Sequence, residues 1–178
     1  MIHISSTVKS GIRDACIEDI PLLTAIETTS FDGDRISHRS FRHLIRSAQC
    51  RILVDCVRDQ IRGYIVVLFR RGTQCARIYS IATHPEFLRR GVAKRLVRGA
   101  QLAACERGCA ELRLEIRQDN AVSLHMFRET GYLIFGHYHQ YYEDGMDALR
   151  FTKVLHEPNA EQFRYKRNQL DSTCNLPE

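Results

Sequence analysis

Ile78-Tyr79-Ser80-Ile81-Ala82-Thr83-His84-Pro85-Glu86-Phe87-Leu88-Arg89-Arg90-Gly91-Val92-Ala93-Lys94 passes from a strand pattern to a helix pattern across one short turn. His84-Pro85-Glu86 ends the strand. From Gly91 the apolar period changes: Val92, Ala93, Leu96, Val97, Ala100, Ala103 and Ala104 trace one stripe of a long helix that Gly108 stops. The start of such a helix carries backbone N–H groups without intrahelical partners, and a glycine there lets an anion approach closely. Arg89, Arg90 and Lys94 crowd the positive end of the helix dipole, where each cation ordinarily costs about 0.3–1 kcal/mol. A bound polyphosphate reverses the sign of that cost, whereas a solvated basic turn simply bears it. The stretch has neither Gly-x-x-x-x-Gly-Lys-Ser/Thr nor Gly-x-Gly-x-x-Gly, which disfavours a nucleoside triphosphatase or a dinucleotide fold.

Upstream of this turn, Arg51 to Arg58, Ile61 to Arg70 and Ala76 to Thr83 read as three strands joined by tight connections, an antiparallel meander. A first strand is expected near Ile12 to Ala15. Glu18 and Asp19 before Pro21 predict an acidic cap and a helix to about Ser30, with Leu22, Leu23 and Ile26 on its apolar face. Asp-Gly-Asp within Phe31 to Arg35 makes a loop, after which Ser37 caps a second helix that buries Phe41, Leu44 and Ile45. Downstream, Leu112, Leu114 and Ile116 alternate with Glu111, Arg113, Glu115 and Arg117, a strand with one polar face. Asn120 through Glu129 reads as a helix ended by Gly131. Tyr132 to Tyr142 and Ala148 to Leu155 read as two last strands, joined through Glu143-Asp144-Gly145.

The length of 178 residues suits one domain, with residues 1–10 as a loose leader, 11–156 as the folded unit and 157–178 as a polar tail. A hydrophobic fraction of 44% and a charged fraction of 26% exclude disorder as the main state. The net charge of +5 favours anionic ligands without naming one, and the basic residues are scattered. Seven cysteines form no CxxC pair, and Met1 is not followed by a secretory leader, so a reducing cytoplasm is the expected compartment. Cys105 and Cys109 share a helical face with no further ligand at metal spacing, which points to small buried thiols and to no metal site. The longest apolar run, Tyr64 to Phe69, is too short to cross a bilayer, so no membrane role is expected.

The strand-to-turn segment, with Leu88 to Ala93 set against the pattern Arg/Gln-x-x-Gly-x-Gly/Ala, resembles the acetyl-CoA signature of the GNAT superfamily of N-acetyltransferases. Asn120-Ala121-Val122-Ser123 with Phe127 and Gly131-Tyr132 resembles that family's second motif, and Ile12-Arg13-Asp14-Ala15 with Glu18-Asp19-Ile20-Pro21 resembles its usual opening. Leu114-Glu115-Ile116-Arg117 and Tyr141 through Ala148 are similar to protein N-terminal acetyltransferases of the RimI and Naa types. The resemblance runs from about Ile12 to Leu155. It implies an α/β (α+β) GNAT fold: a central mixed, mostly antiparallel sheet of about seven strands flanked by about four helices. It also implies acetyl-CoA as cosubstrate and a primary amine, chiefly a protein or peptide N-terminus, as acceptor.

By the same resemblance, Ile81, Ala82 and Thr83 hold the thioester and pantetheine, and Arg89, Arg90, Gly91, Val92, Ala93 and Lys94 cradle the pyrophosphate. Asn120, Ser123 and Phe127 complete the cofactor side, and Phe31, Tyr141 and Tyr142 are assigned to the acceptor. Glu115 is the implied general base, although alternation alone makes it an ordinary solvated strand glutamate. Leu88 replaces the usual Arg or Gln. Phe127 stands where the family usually has a tyrosine that protonates the departing sulfur, which leaves Tyr138, Tyr141, Tyr142 or His125 as substitutes. Lysine side chains or small amines are alternative acceptors. A non-catalytic acyl-CoA sensor, motivated by Phe127, is a rival reading, and a nucleic-acid binder, motivated by Arg164, Lys166 and Arg167, is a weaker one.

Overall fold

Two neighbouring strands, β2 (Cys50–Val57) and β3 (Gln60–Phe69), are largely apolar and buried on both faces. Leu53, Ile65 and Val67 lie in one core cluster, while Ile52, Val54, Tyr64 and Val66 lie in another. A strand buried on both faces reads as a continuous apolar run, which is what Tyr64 to Phe69 shows. The computed structural model describes residues 10–155 except 32, 34 and 59. The expected leader (apart from Ser10), the expected tail and the basic cluster at Arg164 to Arg167 lie outside the described residues.

The remaining elements are β1 (Ser10–Asp14), α1 (Ile20–Ser30), α2 (His38–Arg46), β4 (Cys75–Thr83), α3 (Val92–Glu106), β5 (Glu111–Arg117), α4 (Ala121–Glu129), β6 (Leu133–Tyr138) and β7 (Ala148–Val154). Short 3₁₀ turns at Ile17–Asp19 and Pro85–Phe87 precede α1 and α3. The strands form one sheet in the order β1-β2-β3-β4-β5-β7-β6, antiparallel throughout except for the parallel pair β4–β5. This is the mixed sheet of seven strands with four helices that the resemblance implies. Helices α3 and α4 cover one face through Leu96, Ala100, Leu124 and Phe127, and α1 and α2 cover the other through Leu23, Ile26 and Phe41. Each fully buried side chain of this size contributes about 1.5–3 kcal/mol by leaving water. Among the described residues no helix is long and apolar enough to cross a membrane.

Three local expectations are corrected. Asp19 takes the N-cap position of α1 but its side chain makes no capping bond there; the carboxylate accepts the Cys16 N–H at 2.8 Å and both Arg13 nitrogens, so it closes the 3₁₀ turn instead. In α2 only Phe41 is fully buried, while Leu44 and Ile45 sit at its margin. The strand expected over Tyr132 to Tyr142 ends at Tyr138. Gln140 takes a positive φ of 49°, its N–H goes to Asp147 Oδ1, and Tyr141 and Tyr142 both donate N–H to the Met146 carbonyl. Those bonds turn the two tyrosines out of the ladder. Gly145, with φ 80°, takes the left-handed place expected of it.

Candidate active site

The parallel pair makes an opening. β4 and β5 exchange ladder contacts only from Cys75–Arg77 to Glu111–Arg113. Beyond that point β4 stays on β3 and β5 stays on β7, so Ile78–Thr83 and Leu114–Arg117 diverge as the two walls of a notch. Within β4 the pairing with β3 slips: Ser80 faces Val66 and Ile78 faces Val67, leaving Tyr79 as an unmatched bulge residue. A bulge frees backbone groups from the ladder and re-aims them. The position of the bulge at Tyr79 leaves no mark in the pattern of apolar residues.

At the end of β4 the chain enters the turn before α3. Arg89 has φ 60° and Gly91 φ 72°, with Arg90 of ordinary handedness between them. Alternating handedness along consecutive residues points successive N–H groups to one side, an anion-binding nest. Among the described residues nothing accepts the N–H groups of Arg89, Arg90 or Gly91, and the first-turn N–H groups of α3 stand beside them. A bare helix start with three cations would be unfavourable, and a diphosphate fits both the donors and the charge. The turn is seated closely because β3 has Gly63 beneath it. A Cβ there would lie 2.6 Å from the Ala82 carbonyl oxygen and 2.9 Å from Val92 Cγ1.

Of the other residues assigned to the cofactor, Ile81 and Thr83 are half-buried and Ala82 is buried on the α1–α2 side of the sheet. Val92 is buried in the core, Ala93 is half-buried, and Lys94 is paired with Glu129 of α4 at 2.8 Å. Asn120 caps α4 by accepting the Ser123 N–H at 3.0 Å, and its carboxamide nitrogen bonds to none of the described residues. Phe127 is 1% exposed and packs edge-on against Tyr132, so it serves the core. Burial pushes the Tyr132 phenol up to about 12. His125 lies on the outer side of α4 against Glu129.

Glu115 stands two residues past the last β5 residue paired with β4. Its Oε2 accepts a hydrogen bond from Arg77 Nε at 2.7 Å, while among the described residues Oε1 has only Arg150 Nε at 3.9 Å. Arg77 Nη2 also donates to the Tyr141 hydroxyl at 2.8 Å. Tyr141 stacks on Tyr138 and meets Tyr142 edge-on, with centroids 5.3 and 5.2 Å apart. The Arg117 guanidinium lies over the Tyr142 ring, and burial pushes the Tyr142 phenol up to about 12. Glu115, Tyr141 and Tyr142 therefore come together, joined by Arg77. Phe31 follows the end of α1, half-buried in the loop that Glu27 ties down by accepting the Ile36 N–H at 2.7 Å.

Sequence reasoning did not find Arg77, Gly63 or the Glu27–Tyr64 hydrogen bond. Alternation could have placed Arg77 on a face with a polar neighbour, but its partner is 38 residues away and on another strand.

A splayed parallel strand pair, a bulged strand and an anion nest at the next helix define an α/β transferase domain of the kind that binds acyl-coenzyme A. The pattern of the acetyltransferase (GNAT) family matches residues 20–132, and the chain belongs to that family. It is similar to the putative ribosomal protein bS18-alanine N-acetyltransferase of Bacillus subtilis, 26% identical over 150 residues that cover 84% of this chain and 98% of that protein. It is also similar to the N-alpha-acetyltransferase MAK3 of Arabidopsis thaliana, 30% identical over 106 residues, 60% of this chain; those residues span about half (49%) of the plant protein. Among solved structures, Ard1 of Thermoplasma volcanium superposes with a TM-score of 0.75 at 25% identity, covering 82% of this chain and 97% of that one.

Proposed function

We propose that this chain transfers the acetyl group of acetyl-CoA to a primary amine, and that the amine is the α-amine of a protein or peptide N-terminus. The observation that carries the reading is the notch between β4 and β5, with Glu115 on one wall, Arg77 at its closed end and the nest at Arg89–Gly91 following β4. In the reaction the amine nitrogen forms a bond to the acetyl carbon and the carbon–sulfur bond breaks. The ammonium proton must leave before attack, and a proton reaches the departing thiolate. Glu115 is suited to the first task because Arg77 anchors one carboxylate oxygen, and Oε1 takes no hydrogen bond from the described residues. Tyr142 is suited to the second because its phenol, pushed up to about 12 by burial, keeps its proton at neutral pH. Backbone N–H groups freed at the Tyr79 bulge are the candidate oxyanion donors.

The two relatives named for N-terminal acetylation support the choice of acceptor. An α-amine ionises at about 8 and a lysine at about 10.4, so a single open carboxylate suffices more readily for the former. Incubating a peptide library with acetyl-CoA and reading products by mass spectrometry tests the proposal. Acetyl on N-terminal α-amines with release of free thiol is expected, and kcat/KM should rise with pH to a plateau near about 8. Acetyl found only on lysines, with a rate still rising toward about 10, would move the acceptor. Coenzyme binding without any product would favour the sensor reading, which the buried Phe127 on α4 motivates.

A further inference from the structure

Asp55 has 0% of its surface exposed and sits in β2 where the register with β3 slips between Asp55 and Cys56. An isolated carboxylate at such a depth is strongly disfavoured. Two guanidinium groups answer it from different elements. Arg62 of β3 donates from Nε to Oδ1 at 2.7 Å, and Arg95 of α3 donates from Nε to Oδ2 at 2.7 Å. One arginine would suffice for charge balance, so neutralisation alone does not explain the second. Arg95 does something Arg62 does not: its Nη1 donates to the Arg90 carbonyl at 3.0 Å.

That carbonyl belongs to the nest. Arg90 lies between the left-handed residues Arg89 and Gly91. The peptide unit is planar and trans, so the Arg90 C=O and the Gly91 N–H point in opposite directions. A carbonyl held toward Arg95 therefore sends the Gly91 N–H the other way, away from Arg95. Arg95 also fills the space under the glycine, since a Cβ on Gly91 would lie 3.3 Å from Arg95 Nη1. Buried ion pairs add little stability over apolar residues of the same size. What Met at position 95 could not reproduce is the donor to Arg90.

We propose that Asp55 and Arg95 are positioning residues: buried Asp55 holds the half-exposed Arg95, which pins the Arg90 carbonyl and thereby aims the Gly91 N–H at the coenzyme diphosphate. The inference rests on reading the 89–94 turn as the diphosphate cradle. The test is calorimetry of the full chain with CoA, and separately with pantetheine, which lacks the diphosphate, alongside steady-state kinetics. Arg95→Met is expected to raise the CoA Kd and the acetyl-CoA KM about tenfold, the size of losing one aimed hydrogen bond to a charged group. It should leave kcat at saturating acetyl-CoA and the pantetheine Kd within about twofold. Arg62→Met removes Asp55's other partner but leaves Arg90 pinned. Its thermal midpoint should fall at least as far, with the CoA Kd held within about twofold. If Arg95→Met is too unstable to purify, Arg95→Lys keeps the charge beside Asp55 but lacks the fork that reaches Arg90 as well, and it should show the same loss for CoA. Equal CoA affinity in the parent and both Arg95 variants overturns the positioning role, and so does an equal loss in Arg62→Met. A parent chain that binds pantetheine and CoA alike overturns the cradle itself, and is recognised before any variant is made.

Discussion

Glu115 has two carboxylate oxygens in unlike surroundings, one bonded to Arg77 and one facing Arg150 at 3.9 Å. Replacing it by Gln keeps the shape and a weakened contact to Arg77 while removing the proton acceptor. Turnover at pH 7 should fall at least about tenfold, as expected for loss of a general base, with CoA affinity unchanged by calorimetry. Equal turnover in Glu115→Gln removes this residue from the mechanism. Arg77→Met separates orientation from proton transfer. It frees both Glu115 and the Tyr141 hydroxyl, so the peptide KM should rise together with a fall in kcat, read from initial rates. The motif residues of this site were legible because they cluster in sequence around Gly91, Asn120 and Glu115. Arg77, Asp55 and Arg95 were not, because each acts through a partner on another element, and one sequence carries no sign of which strands will be neighbours.

Elements were legible wherever the apolar period was long, as in α3, and wherever Ser37, Asn120 or Gly145 supplied local turn chemistry. The end of β6 was not, because Asp147 and the Met146 carbonyl, which come later in the chain, stop it. The splay of β4 from β5 is likewise a property of the pair. How α3 sits on the sheet depends on one missing side chain, since Gly63 faces the Ala82 carbonyl oxygen and Val92 Cγ1 at distances no Cβ tolerates. Gly63→Ala should therefore push the start of α3 off the sheet. Overpacking of this kind costs about 1–3 kcal/mol, measurable by urea unfolding. Because the nest is carried by the same helix start, CoA should bind more weakly to the folded variant. A variant as stable as the parent, with unchanged CoA affinity, would show that the contact relaxes without consequence.

Across the whole molecule, the α1–α2 side is fastened to the sheet partly by charge. Burial pushes the Asp19 carboxyl up, but Arg13 and the Cys16 N–H and thiol outweigh it and hold the group below the ordinary carboxylate value. The folded state thus binds its proton less readily than the unfolded chain, whose aspartate titrates at about 3.9. The stability from this group is fully present above that value and is lost as pH falls through the lower, folded one. Arg13 belongs to β1 and Asp19 to the turn that launches α1, so protonation releases the edge strand and the first helix together. Asp19→Asn should cost about 1.5–3 kcal/mol at pH 7, the range for hydrogen bonds to charged groups. The difference between variant and parent should begin to shrink below about pH 4, where the aspartate of the unfolded parent takes up a proton, and should go on shrinking until pH passes the lower, folded value. Thermal melts of both proteins from pH 7 to pH 3 measure it. A gap that stays constant over that range would mean that Asp19 contributes through packing and the Cys16 turn, and that the ion pair with Arg13 is idle.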